Sequence, residues 1–184
     1  MAMIASSARP AEHHLYIMAK PPEEVIQQIA ALSRTSRNRP YELLHVTVQP
    51  VLVLEWMPAD MADEIRRSIL ELCAKIDAPS GEVVMNRIVE SANAVTLRGA
   101  MYGASEFHAA IRAGLGRNGL PLLDYHFAPH ITLAYRPDGR GHEFIEPIRW
   151  TVEEFLLVES VYGETRHIEL GRWPLRSRQG ELFS

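Results

Sequence analysis

Two stretches decide the fold, Leu44-His45-Val46-Thr47-Val48-Gln49 and Pro129-His130-Ile131-Thr132-Leu133-Ala134, and they share the pattern His-x-Thr. Around each motif, apolar and polar residues alternate. Side chains two positions apart on a β-strand point to the same face. Each motif is therefore predicted to place one imidazole and one hydroxyl side by side on a strand, while the apolar residues face a core.

The repetition of the motif carries more weight than either copy. With 8 histidines in 184 residues, the composition predicts well under one His-x-Thr match by chance, and two are present. A single copy would be weak evidence, because a histidine on a strand is more often a hydrogen-bonded structural residue. Two copies in matching, alternating strands favour a functional pair.

The composition is that of an ordinary soluble protein, with 47% hydrophobic and 23% charged residues. A net charge of -4 argues against binding of polyanions over the whole surface, but it allows a phosphorylated ligand in a locally basic cleft. The single cysteine, Cys73, excludes an internal disulfide framework and predicts a reducing, cytoplasmic location. Its place in a helical apolar pattern predicts a buried thiol. No apolar run approaches the roughly 18 residues that a membrane span needs, so we expect no membrane association.

We expect a single domain over residues 13–176, built from two lobes, in a monomeric protein. Residues 1–12 are predicted to be a disordered lead-in, because they lack the long apolar segment of a signal peptide. Residues 177–184 are predicted to be a loose tail.

The order of predicted elements indicates a duplication, because each half contains a strand, a helix and then a His-x-Thr strand. We predict an α+β fold with two lobes, two mainly antiparallel sheets around a central cleft, and helices on the outside. The two motif strands would then meet at the cleft. The predicted strands are 14–19, 43–54, 83–89, 94–98, 125–135, 155–161 and 166–172, and the predicted helices are 22–33, 103–117 and one that begins near residue 60.

Two imidazoles can divide acid and base roles at neutral pH. One neutral histidine accepts a proton from water, and a protonated histidine donates one to a leaving oxygen. The flanking threonine hydroxyls can donate hydrogen bonds to the two non-bridging oxygens of a phosphodiester. A cyclic phosphodiester suits this chemistry, because its ring strain helps to expel an alkoxide without a metal.

These residues resemble the 2H phosphoesterase superfamily, and within it the 2′-5′ RNA ligase-like, RNA 2′,3′-cyclic phosphodiesterase group. The resemblance rests on the two motif stretches and on residues 158–160 and 173–175, and it extends from about His14 to Leu175. It implies hydrolysis of RNA or nucleotide 2′,3′-cyclic phosphates to 2′-phosphates, with neither metal nor other cofactor. The resemblance also assigns roles by matching motif: His45 is the proton donor, His130 is the proton acceptor, and Thr47 and Thr132 hold the phosphate.

One position departs from the family. An arginine often follows Thr-Leu-Ala of the second motif, whereas this chain has Tyr135 there and Arg136 next. By strand alternation, Arg136 shares a face with His130 and Thr132, so we expect Arg136 to contact the substrate. This departure leaves the substrate preference open.

Further substrate contacts are predicted from residue type alone. Arg34, Arg37 and Arg39 form a basic cluster just before the first motif, and Arg39 lies nearest to it, so they are candidates to bind phosphates. Tyr16, Phe127 and Tyr135 could stack on a base, although packing in the core or on a strand is the commoner role of such residues.

Two other functions compete with hydrolysis by a histidine pair. A binding module could use the same cleft to hold a nucleotide or an RNA end. A metal-dependent hydrolase could use Asp124 and His126 with His130, but these residues lack a recognisable ligand spacing. The paired motifs favour the enzyme, because binding alone does not require two proton carriers.

Overall fold

The computed structural model describes residues 12–32, 39–55, 57–135 and 140–177, which form eight β-strands and three α-helices. A short 3-10 turn, Tyr41–Leu43, precedes the second strand. Most of the predicted lead-in and tail lies outside these ranges. In chain order the elements are β1 (Glu12–Ala19), α1 (Glu23–Ala30), β2 (Val46–Val53), α2 (Ala59–Cys73), β3 (Gly81–Glu90), β4 (Ala94–Tyr102), α3 (Ala104–Gly116), β5 (His130–Tyr135), β6 (Gly141–Val152), β7 (Glu154–Tyr162) and β8 (Arg166–Pro174).

The strands form one sheet in the order β6-β3-β4-β5-β2-β1-β7-β8, and neighbouring strands are antiparallel. The predicted α+β class and the antiparallel pairing are confirmed. The two expected sheets are instead two four-stranded halves of one sheet, because β2 and β5 pair directly at Val46 and Ile131. We call them the β2 half (β2, β1, β7, β8) and the β5 half (β5, β4, β3, β6).

The predicted duplication of element order is present in the structure. β1, α1 and β2 follow one another in the first unit, and β4, α3 and β5 do so in the second. From the centre outward, β2-β1-β7-β8 mirrors β5-β4-β3-β6. The two motif strands are therefore the innermost strands of their halves, and they meet at the axis that relates the two halves.

The three helices pack with one face of the sheet in the main hydrophobic core, and a smaller cluster of Met18, Leu156 and Val158 is separate from it. Val46 and Ile131 belong to this core, with 1% and 0% of their surface exposed. Burial of such a side chain contributes about 1.5–3 kcal/mol. Cys73 is also buried, as predicted, and burial raises the pKa of its thiol to about 12. Because apolar residues on the motif strands face the helices, the polar motif residues point to the opposite face.

Strand β6 was missed by the sequence analysis. It contains Pro147 and several charged residues, a composition that disfavours a central strand. In the structure, β6 is an edge strand that pairs only with β3, and the pairing shifts register between Met85 and Arg87. Pro147 lies in this irregular stretch, where a missing N–H does not break the ladder.

A buried carboxylate fastens α2 to the sheet. Glu159 on β7 is 3% exposed and accepts hydrogen bonds from Arg66 on α2, with Nε to Oε2 at 2.7 Å and Nη2 to Oε1 at 2.8 Å. The Glu159 carboxylate also bonds Nδ1 of His13 on β1. The hydrogen bonds from Arg66 are the main reason that the pKa of Glu159 is lowered, so it is ionised at neutral pH.

Replacement of Glu159 should show what this cluster contributes. Glu159→Ala leaves the Arg66 guanidinium without its buried partner, and we expect the free energy of unfolding to fall by about 3 kcal/mol. Glu154→Ala is the matched control on the same strand, because its partner Arg172 is 53% exposed and such pairs contribute less than about 1 kcal/mol. Urea unfolding at pH 7 measures both. Equal losses in the two variants would contradict a special role for Glu159.

Candidate active site

The pairing of Val46 with Ile131 determines where the motif side chains lie. Because the two strands run in opposite directions, the residue before Val46 lies opposite the residue after Ile131. His45 is therefore opposite Thr132, and Thr47 is opposite His130. All four motif side chains are half-buried on the face that the core does not use. The structure thus brings the four predicted residues together around one residue pair.

The two histidines are held in the same way. Nδ1 of His45 lies 2.7 Å from the carbonyl oxygen of Leu43, and Nδ1 of His130 lies 2.8 Å from that of Ala128. A carbonyl oxygen can only accept, so Nδ1 must carry the proton and donate in both rings. Nε2 is therefore the atom of each imidazole that can exchange a proton with a ligand.

The surroundings of His45 favour its neutral form. Burial is the main cause that lowers its pKa, to about 3, and nearby His167, Arg39 and His130 lower it further. The hydrogen bond to Leu43 acts in the opposite direction but is outweighed. At neutral pH, His45 is an uncharged imidazole near the Arg39 guanidinium.

His167 on β8 is a site residue that the sequence analysis missed. Its ring packs edge-on against that of His45, with centroids 5.0 Å apart and planes at 66°. Burial lowers the pKa of His167 to about 4, and Arg39 and Lys20 contribute. Its Nδ1 is buried without a hydrogen-bond partner among the described residues. No motif surrounds His167 in the sequence, so its contact with His45 is seen only in the folded structure.

Arg39 lies beside the first motif, as predicted. Its Nε and Nη2 each donate to the carbonyl oxygen of Leu43 at 3.3 Å, which is the same oxygen that orients His45. Its guanidinium lies over the ring of Tyr135, 5.2 Å from the centroid, as in a cation–π contact. Arg39 therefore connects the start of β2 with the end of β5.

A cavity of about 560 Å³ opens between the two halves beside these residues. The turn after β3 contributes Asn93 from the β5 half, and the β7–β8 hairpin contributes the opposite wall. Tyr16 lies near Tyr135, and burial is the main cause that raises the pKa of Tyr16, with a further contribution from Tyr135. The volume is in the range of small-ligand sites. Other lining residues include Arg39, Leu43, Tyr135, Ser160 and His167.

The loop before β5 is positioned by a buried amide. Gln49 is fully buried, and its Nε2 donates to the carbonyl oxygen of Leu123 at 3.0 Å while its Oε1 accepts from Arg112 at 2.9 Å. The Tyr125 hydroxyl donates to the backbone oxygen of Thr47 at 3.3 Å. These bonds tie the loop to β2 and explain why β5 begins only at His130, later than predicted.

The other predicted contacts have different outcomes. The ring of Phe127 packs against Phe107 and His108 of α3, at centroid distances of 6.1 and 5.3 Å, so it supports the helix side of the fold. Arg34, Arg37 and Arg136 lie outside the described residues.

The described part of the chain contains no group of three or more His, Cys, Asp or Glu residues arranged to hold a metal ion, so Asp124, His126 and His130 do not form such a group. None of its helices is long and apolar enough to cross a membrane.

Solved structures share this fold. A crystal structure of a phosphoesterase has 21% identity over 89% of this chain and 98% of its own, with a TM-score of 0.66. Escherichia coli LigT in the apo form has 23% identity over 90% of this chain and 98% of its own, with a TM-score of 0.64. TT0787 of Thermus thermophilus has 22% identity over 90% of this chain and 99% of its own, with a TM-score of 0.62. The chain therefore has the LigT-like fold, which confirms the fold that the resemblance implied.

Similar matches were found with E. coli LigT complexed with 3′-AMP, with ATP and with NADP+, at 20–22% identity and TM-scores of 0.59–0.64. No family model matches the chain. No curated protein sequence matches it at significant similarity.

Acid should destabilise the fold through the site histidines. The folded-state pKa values of His45 and His167 are lowered to about 3 and about 4, whereas an unfolded histidine titrates near 6.5. Between these values the unfolded chain binds protons that the folded chain does not, so the free energy of unfolding falls as pH is lowered from about 6.5 to about 4.

His167→Asn tests this linkage, because asparagine does not titrate. We expect the variant to lose less stability than the parent between pH 7 and pH 5 in urea unfolding. The difference should stay below the limit of about 1.4 kcal/mol per pH unit for one titrating group, because solvent partly screens His167. His126→Asn is the control, since His126 is exposed. An unchanged pH dependence in His167→Asn would show that His167 titrates normally in the folded protein.

Proposed function

We propose that the protein hydrolyses a cyclic phosphodiester, RNA or nucleotide 2′,3′-cyclic phosphate, to the 2′-phosphate without a metal. The observation that carries this proposal is the matched pair of imidazoles. His45 and His130 have the same proton on Nδ1 and the same kind of carbonyl partner, and they lie on two strands joined at Val46 and Ile131. Each Nε2 can therefore exchange a proton with a group bound over this face of the two paired strands.

The proposed reaction uses these four residues in fixed roles. The hydroxyls of Thr47 and Thr132 donate hydrogen bonds to the non-bridging phosphate oxygens. Nε2 of His130 accepts a proton from water as the water oxygen bonds to phosphorus. The bond from phosphorus to O3′ breaks, and Nε2 of His45 donates its proton to O3′. The product is a 2′-phosphate with a free 3′-hydroxyl, and the proton moves from His130 to His45 between turnovers.

This division of roles requires His45 to be protonated when the substrate is bound. Burial lowers the pKa of His45 in the free protein, and nearby His167, Arg39 and His130 lower it further. An anionic phosphodiester at the same place acts in the opposite direction, because a nearby negative charge stabilises imidazolium. We therefore infer that substrate binding and protonation of His45 are coupled, so that the acid is charged only when a phosphate is present.

Arg39 compensates for the departure from the family at position 135. Where the resemblance expects an arginine, the chain has Tyr135, and the Arg39 guanidinium lies on that ring. Arg39 thereby supplies a delocalised cation at this side of the site, where it can bind a phosphate oxygen. Tyr16 and Tyr135 are proposed to contact the nucleoside in the adjacent cavity. Arg136 stays a proposed phosphate ligand, and the packing of Phe127 favours a supporting role for that residue.

A nucleotide-binding module is the second candidate. E. coli LigT, which shares the fold, has been crystallised with 3′-AMP, ATP and NADP+. Those complexes favour a nucleotide-type ligand in either case. The paired imidazoles favour the enzyme, and turnover of cyclic nucleotides in the presence of EDTA separates the two candidates. Binding of a nucleoside 2′,3′-cyclic phosphate without release of 2′-phosphate would support the module instead.

Loss of either histidine should remove most activity. His45→Ala and His130→Ala each delete one proton carrier, and general acid or base catalysis contributes about 10²–10⁴-fold. Thr47→Val and Thr132→Val should cost less, because other donors can hold the phosphate. The measurement is kcat/KM for a nucleoside 2′,3′-cyclic phosphate, with His126→Ala as an exposed control. Near-normal activity in His45→Ala or His130→Ala would refute the assignment of that histidine as a proton carrier.

A substrate with an activated leaving group should separate acid from base. Such a group needs little protonation, so His45→Ala should recover much of its lost rate while His130→Ala stays slow. The ratio of kcat/KM between activated and natural substrates is measured for each variant. The opposite pattern would exchange the two roles, and recovery in neither variant would indicate that both histidines mainly stabilise phosphate charge.

A further inference from the structure

A row of side chains leads from the candidate active site to the edge of the sheet. His130 on β5 pairs with Arg98 on β4, Arg98 pairs with Arg87 on β3, and Arg87 pairs with Phe144 on β6. Residues directly opposite one another in a sheet lie on the same face. The next row, Ile131 with Leu97 and Ile88, is buried in the core, so the four residues of the first row lie on the uncovered face.

The two arginines of this row keep their charge unneutralised. Nε of Arg98 donates to the hydroxyl oxygen of Thr96 at 3.0 Å, and Nη1 of Arg87 donates to the amide oxygen of Asn86 at 3.3 Å. Both contacts are with neutral groups. Among the described residues, no carboxylate forms an ion pair with either guanidinium, in contrast to Arg149, Arg166 and Arg172 on β6 and β8. The neutral contacts hold the side chains and leave further N–H donors for an anion.

An exposed aromatic residue ends the row. Phe144 is 72% exposed, and its ring lies 4.8 Å from that of His142 on the same strand. A single exposed apolar side chain is ordinary. Here, however, it follows two unpaired cations on one face, and cations together with stacking rings form the common pattern of single-strand binding sites.

The opposite half of the sheet has no equivalent row among its described residues. Thr47 on β2 pairs with Met18 on β1, which pairs with Leu156 on β7, and both of these apolar residues are buried. The row ends at Arg172, which is neutralised by Glu154 and Glu169. The charge therefore favours an anionic chain on the β5 half only.

We propose that Arg98, Arg87 and Phe144 bind the RNA strand that carries the cyclic phosphate, so that the preferred substrate is an oligonucleotide rather than a mononucleotide. Arg98 and Arg87 bind consecutive backbone phosphates upstream of the reacting end, and Phe144 stacks on a base. Neighbouring strands lie about 4.8 Å apart, so three steps from His130 to Phe144 span roughly 14 Å, enough for about two or three nucleotides. The inference rests on the proposed function for the identity of the reacting end.

Substrates of different length test the proposal. The parent protein should have a lower KM for a tetranucleotide that ends in a 2′,3′-cyclic phosphate than for the corresponding mononucleotide. Arg87→Gln and Phe144→Ala should each raise the tetranucleotide KM by about tenfold and change the mononucleotide KM much less. Arg67→Gln on α2 removes the same charge from an exposed helix position and should change neither value. Thermal melting verifies that each variant is folded.

The salt dependence of binding provides a second readout. Loss of one phosphate contact should reduce the slope of log K against log salt by about 0.7 for a single strand. Fluorescence anisotropy with a labelled RNA that ends in a 2′-phosphate measures this slope without turnover. Arg87→Gln should show the smaller slope, whereas Arg87→Lys should keep the parent value.

The outcomes separate the two claims. If the parent binds the RNA with the predicted salt dependence but hydrolyses no cyclic phosphate, the proposed reaction is refuted. The proposal that Arg98, Arg87 and Phe144 bind RNA is then supported. If Arg87→Gln and Phe144→Ala behave like Arg67→Gln with every substrate, RNA binding by these residues is refuted, and the proposed hydrolysis is unaffected. Equal changes in the KM of the mononucleotide and the tetranucleotide would also refute RNA binding by these residues. Such changes would indicate that Arg87 and Phe144 support the structure of the catalytic centre.

Discussion

The antiparallel pairing of Val46 with Ile131 is the constraint on which the candidate active site depends. These two residues are the central positions of the two motifs, and they bury their side chains in the helix-covered core. Because side chains alternate along a strand, the same pairing turns His45, Thr47, His130 and Thr132 to the other face. A shift of one residue in either strand would bury the polar residues and expose the apolar ones. The stability of the core therefore enforces the geometry of the site.

The electrostatic character of the site follows from this placement. His45 is enclosed by His167, Arg39 and the motif of the other strand, and burial lowers its pKa to about 3. A half-buried neutral imidazole near the Arg39 guanidinium is a poor proton donor when the site is free, but it becomes a better one beside an anion. The same arrangement lowers stability in acid. The fold thus keeps a locally positive site in a protein whose net charge is -4.

Local sequence patterns predicted the motif strands, the duplicated element order and the α+β class, because each of these depends on alternation or helical spacing within a short segment. They did not predict that the halves form one continuous sheet, since strand partners are set by the whole topology. Strand β6 was missed because an edge position and an irregular register accommodate Pro147. His167 was missed for a different reason: its contact with His45 joins two segments far apart in the sequence and has no signature in either of them. Arg98 and Arg87 were also overlooked, because only the pairing of β3, β4 and β5 aligns them with His130.

The central claim is that His45 and His130 act together on one phosphate, and imidazole nitrogen NMR tests it most directly. Protein with ¹⁵N-labelled histidine is titrated with a nucleoside 2′-phosphate at neutral pH, and the ring signals are assigned with the two His→Ala variants. We predict that the Nε2 signals of both histidines shift with one dissociation constant, that both Nδ1 atoms stay protonated, and that His45 moves toward its protonated form. If the nucleotide binds but the Nε2 signal of only one of these histidines shifts, or neither signal does, a shared phosphate site is contradicted.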